Sequence, residues 1–169
     1  MASLPPQNRY LWVQFVGLAA VPLLLDVSLA GLASSRTAFG YPSAFGLQYW
    51  LIAVVCIVPS LTMQCLRPFY VFSVPPLALR PSVLSTNQRR CLRLLESWQI
   101  KALAVGSGGL SLWLLSQLYV RSPQITPMMR PNVGLIAAVI AFFWACTFLQ
   151  ISISSARLLL VGPEAMKRV

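Results

Sequence analysis

Few side chains in this sequence can do chemistry, and most of those lie inside apolar runs. Asp26 is the only acidic residue within such a run; Glu96 and Glu164 fall in polar stretches. Histidine is absent, which removes the usual haem and zinc ligand and the commonest general base. Cys56, Cys65, Cys91 and Cys146 form no C-x-x-C pair, so they read as small packing residues and not as a disulfide or a metal site. Gly106-Ser107-Gly108-Gly109 lies inside an apolar run and follows no strand pattern, which excludes a phosphate-binding loop. With no Ser-His-Asp set and no paired carboxylates, neither a catalytic site nor a metal centre is expected.

What remains is one carboxylate and a set of amides. A charged carboxylate at the centre of a membrane span costs about 3 kcal/mol, so Asp26 is expected to face protein or a polar cavity. Two roles fit. It is a proton or cation site in a small transporter or channel, or it makes a structural bond between helices, with Arg36, Arg121 or Arg130 as candidate partners. The structural role is preferred, because proton transport wants further acidic or histidine side chains along a path. Gln14, Gln64 and Gln150 come from three different apolar runs at similar depth, while Gln48 and Gln117 lie toward the other side with Asp26. Buried amides bond across membrane helices for about 0.6 kcal/mol each, enough to set register. A ligand pocket is the other use of such a set.

The one dense block of charge runs from Ser85 to Lys101 and carries Arg89, Arg90, Arg93, Trp98 and Lys101. Cys91, Leu94 or Leu95, and Trp98 recur at helical spacing, and Ser85 with Gln88 fits a capping box. A basic amphipathic helix over 85–100, lying in the headgroup layer, is the expectation. Its partners are anionic lipids or another protein; the plainer reading is a loop whose arginines only set orientation.

The elements that position these residues follow from composition. Of 169 residues, 57% are apolar and only 9% charged, against about 25% charged in soluble domains. The sequence therefore predicts an all-α, polytopic integral membrane protein: one domain over 1–169, with four transmembrane helices and the basic interfacial helix. The spans are 10–33, 47–66, 101–120 and 133–160. Tyr10 and Trp12 suit an interfacial belt, Pro22 is expected to kink the first span and Pro59 to break the second. The apolar run after Arg9 is too long for a signal-peptide core and reads as a retained span. The third span can continue from the basic helix as one long helix. Its glycines mark the expected place of close helix approach. Arg157 is expected to snorkel at the end of the fourth span, which Gly162-Pro163 stops. Pro-rich stretches separate the spans.

Net charge is +10. In a soluble domain that would suggest nucleic acid; here the basic residues lie between apolar runs, so they meet a membrane surface and nucleic acid is not a partner. Four spans put both termini on the side of the basic block, with Arg9, Arg67, Arg80, Arg157, Lys167 and Arg168, and leave only Arg36, Arg121 and Arg130 opposite. The positive-inside rule makes the basic side cytoplasmic.

The four-span layout and the closing stretch Phe142-Phe143-Trp144-Ala145-Cys146-Thr147-Phe148-Leu149-Gln150-Ile151-Ser152-Ile153-Ser154-Ser155-Ala156-Arg157-Leu158-Leu159-Leu160 resemble small polytopic proteins of cyanobacterial thylakoids, the accessory subunits and assembly factors of photosystems. The resemblance implies a non-catalytic protein packed against a larger membrane complex, with its basic surface on the stromal side. It also implies chlorophyll, carotenoid or lipid neighbours at the helix surface. The lack of histidine departs from the chlorophyll-binding subunits of that class.

Overall fold

The computed structural model describes residues 9–36, 44–66 and 97–160. They form α1 (Arg9–Val16), a 3-10 turn (Gly17–Ala19), α2 (Ala20–Ser35), α3 (Ala44–Leu66), α4 (Trp98–Arg121), a second 3-10 turn (Ser122–Gln124) and α5 (Pro131–Leu160). There is no strand among the described residues. Four stretches are long and apolar enough to cross a membrane: Trp12–Ser35, Gly46–Cys65, Trp98–Gln124 and Pro131–Arg157. The architecture is all-α, with four transmembrane helices.

The two prolines behave differently from one another. Pro22 has no N–H to give to the carbonyl four residues back, and that carbonyl belongs to Leu18 in the 3-10 turn. The distortion expected at Pro22 is thus taken up one turn earlier. Gly17 sits in that turn against the Phe148 ring, which a Cβ would approach to 3.1 Å. Pro59, by contrast, does not break the second span: α3 is a single helix with Pro59 inside it. Hydroxyls of the same turn feed local carbonyls, Ser60 Oγ donating to Ile57 O at 2.9 Å and Thr62 Oγ1 to Pro59 O at 3.0 Å.

α4 begins abruptly. Ser97 is extended, with φ −63° and ψ 147°, and its carbonyl accepts the N–H groups of Ile100 and Lys101. The third span is therefore not one helix running on from the basic block, because an extended residue separates them. Trp98 and Lys101 belong to the first turn of α4. Arg89, Arg90 and Arg93, with residues 85–96 of the interfacial helix expected over 85–100, lie outside the described residues, as do Gly162 and Pro163.

α5 is the hub. α2 lies along it, α1, α3 and α4 also pack on it, and α3 packs on α4. Leu32, Ile52, Leu115 and Phe142 from the four spans fill the centre and are all but fully buried. The interior is nonetheless rich in polar side chains, among them Gln48, Gln64, Gln150 and many serines. The outward faces carry Leu23, Trp50, Val54, Trp113 and Ile140. In a bilayer that distribution is expected, since lipid tails are as apolar as leucine and helices associate through packing and hydrogen bonds.

Candidate functional site

Toward one end of the bundle, α5 carries Gln150, Ser152, Ser154 and Ser155, all buried. In a helix these turn to different neighbours, since each residue advances about 100°. Gln150 Nε2 donates to Ala104 O of α4 at 3.3 Å. Ser154 Oγ accepts from Gln64 Nε2 of α3 and donates to Gln150 O at 3.1 Å. Ser152 Oγ donates to Gln14 O of α1 at 3.3 Å, and Ser155 Oγ to Gln14 Oε1 at 3.2 Å. Gln14, Gln64 and Gln150 thus meet around one stretch of α5, which binds three neighbours at a single level. Gln150 Oε1 is buried with no hydrogen-bond partner among the described residues.

At the outermost turn of this end, an Arg157 Nη2 group donates to Gln99 Oε1. The Arg157 head is therefore tied back to α4 rather than wholly released to the interface. Arg157 Nε and Ser97 Oγ are buried there without a partner among the described residues. Trp98, 81% exposed, stands beside them, and Lys101 is exposed one turn further along.

The other end is organised by small residues. A Cβ on Gly31 would lie 2.6 Å from Gly134 O and 2.8 Å from Ala138 N; one on Gly134 would lie 2.7 Å from Ser34 Cβ. The backbones of α2 and α5 touch. The spacing is small-x-x-x-small on both helices, Gly31 with Ser35 and Gly134 with Ala138. Ser28 Oγ bonds Leu24 O at 2.9 Å and reaches Ala138 O at 3.4 Å. Ser34 Oγ accepts the Met128 and Met129 N–H groups, each at 3.2 Å, which ties the connector before α5 to the end of α2. Gln48 Nε2 donates to Ser35 Oγ at 2.7 Å.

That contact relocates the close approach expected at Gly106–Gly109. Within that block, a Cβ at Gly106 or Gly109 would meet nothing within 4 Å, and only Gly108 touches a neighbour, Leu61, at an ordinary 3.6 Å. Three glycines look more permissive than one, but two of them face outward. Pairwise spacing on two helices was the better signal.

Asp26 is exposed on α2, and it makes no hydrogen bond or ion pair with any described residue. It therefore neither faces protein nor pairs with Arg36, Arg121 or Arg130, which are themselves exposed. Arg36 is ten residues further along, about 15 Å of helix away. Gln48 is spent on Ser35, and Gln117 is half-buried. Cys56 and Cys146 are buried free thiols, and Cys56 Sγ points at Val139 O, 3.5 Å away. Between α3 and α4, Tyr49 and Tyr119 meet edge to face at 5.1 Å, beside an open groove of about 340 Å³ lined also by Trp50, Ser116 and Val120.

Within the bundle, then, nearly every polar side chain at the two levels is engaged in joining helices. Apart from Arg157 at the outermost turn, no acidic or basic group sits among them in the described residues. A protein-family model described as low-complexity tail membrane protein-like matches residues 7–169. No curated protein and no solved structure matches the chain.

Proposed function

We propose that this chain, which belongs to the low-complexity tail membrane protein-like family, is a non-catalytic accessory or assembly protein that packs against a larger integral membrane complex. As an integral multi-pass membrane protein, it has two surfaces to offer, an interior and a lipid-facing exterior. The observation that carries the reading is how they divide the polar groups. The interior amides Gln14, Gln48, Gln64 and Gln150 join helices, and other interior hydroxyls, such as Ser60, Ser107, Ser111 and Thr147, are spent on carbonyls of their own helix, while the single acidic residue within the spans faces outward. A transporter would need the opposite arrangement, ionisable groups lining an interior path. The thylakoid resemblance of the sequence nominates a photosystem as the complex, with chlorophyll, carotenoid or lipid as neighbours at the helix surface.

Mild detergent extraction followed by native electrophoresis tests this. Co-migration with a large complex, pigmented if it is a photosystem, is expected. Migration as a small colourless oligomer would sink the reading. Orientation follows from the charge bias, with both termini cytoplasmic. Cysteines introduced at Ser3 or Ala165 should react with a cytoplasmic thiol reagent, and those at Ser43 or Thr126 should not.

A second contact, with anionic headgroups at the cytoplasmic rim, is favoured by the exposed Trp98 and Lys101 at the start of α4 and by Arg89, Arg90 and Arg93 shortly before them in the sequence. Each basic side chain near an anionic surface contributes about 1 kcal/mol, screened beyond about 8 Å. Changing the three arginines to Gln should therefore weaken recovery of the partner complex at low salt and less so at high salt, where their contribution is already screened, while the spans still insert. Undiminished recovery at both salts would reduce the block to an orientation signal.

A further inference from the structure

Asp26 lies nine residues below Ser35, the end of the span Trp12–Ser35. That is about 13 Å along the helix into a hydrocarbon core of about 30 Å. The buried face of α2, marked by Ser28, Gly31 and Leu32, is turned toward α5. Asp26 is two residues from Ser28, hence about 200° around the helix. Around it on the outward side are Phe15, Leu18, Leu23 and Val27, all exposed. The first span is also the least covered of the four by the rest of the chain. An otherwise apolar face thus presents one carboxylate near the bilayer midplane, where lipid tails offer no donor and an unpaired polar group is costly.

We propose that this face of α1 and α2 is a docking surface for a transmembrane helix of another protein, and that Asp26 pairs there with a Lys or Arg at matching depth. The inference rests on the accessory-protein reading and names its contact. Charge complementarity selects the occupant. A second copy of this chain would set carboxylate against carboxylate across a symmetric contact. Its described spans hold Lys101, Arg121 and Arg157 near their ends and no basic residue at mid-depth. A foreign helix with a central cation neutralises Asp26 and is neutralised by it, so two groups expensive in lipid become one acceptable pair.

The test uses the full chain, donor-labelled and reconstituted in phosphatidylcholine vesicles, with acceptor-labelled synthetic poly-Leu helices as probes. Energy transfer should show a helix with one central Arg binding about tenfold more tightly than an all-Leu helix. Asp26→Leu should abolish that preference. Asp26→Lys should invert it toward a helix with a central Glu, a gain that a misfolded variant could not produce. Equal binding of the Arg and all-Leu helices by the unaltered chain overturns the proposal. So does chain-to-chain transfer that depends on Asp26 and resists excess Arg helix, since the occupant is then a second copy. An Asp26→Leu chain that stays fully within its native complex also overturns the docking surface, while the accessory reading stands. A chain that prefers the Arg helix yet migrates alone on native gels supports the docking chemistry and fails the accessory reading.

Discussion

The seam between α2 and α5 and the seam between α3 and α4 solve the same problem in opposite ways. At the first, Gly31 and Gly134 bring two backbones into contact and Ser28 reaches across to Ala138 O. At the second, Leu61 and Ile57 lie over Gly108 at ordinary distances, Tyr49 meets Tyr119 edge to face, and an open groove remains. Both seams contain glycine, yet only one depends on it. Where hydrophobic burial does not drive association, closeness comes from small residues that match on both helices. Glycine on one partner alone leaves space that a bulky side chain fills.

The sharpest way to break this contrast is a single methyl group. Gly31→Ala or Gly134→Ala forces backbone apart and should lower stability by about 2–3 kcal/mol. Denaturant titration in detergent micelles would read this, and loss below about 0.5 kcal/mol would mean the seam is looser than described. The Gln64–Ser154 tie between α3 and α5 should be smaller. A double-mutant cycle with Gln64→Leu and Ser154→Ala is expected to give a coupling of about 0.6–1.7 kcal/mol; a coupling near zero would make these amides passive filling.

Ser34→Ala removes the acceptor shared by the Met128 and Met129 amides, at a cost of about 1 kcal/mol. Hydrogen exchange at those two amides should speed up while the interior of α5 stays protected. Unchanged exchange there would show that the connector is held by other contacts. The smallest effect has the opposite sign. Gly106→Ala, with nothing near its Cβ position, should stabilise α4 by up to about 1 kcal/mol through helix propensity. Destabilisation at Gly106 would place an unseen close neighbour on that face, and the two seams would no longer differ as described.

Much of this molecule could be read along the chain, because a bilayer imposes a one-dimensional rule. Span number and length follow from the apolar runs and the thickness they must cross. The expected spans and the observed ones differ by only a few residues at their ends. Depth is similarly one-dimensional, which is why Gln14, Gln64 and Gln150 could be grouped before any fold was known. Azimuth is different. A helix that is apolar all round carries no stripe to say which side faces protein, and lipid is as good a neighbour for leucine as another leucine is.

Direction around each helix was therefore decided only by tertiary packing. It turned Asp26 outward although its chemistry argued for the interior, chose Gly31 and Gly134 over Gly106 and Gly109 as the point of contact, and let α3 run through Pro59. It also set the start of α4 at Trp98, after the extended Ser97. Sequence determined that this chain crosses a membrane four times and at what depth its polar groups sit. Which way they face depended on the mutual fit of small residues on helices far apart in sequence, a property of pairs that no single stretch contains.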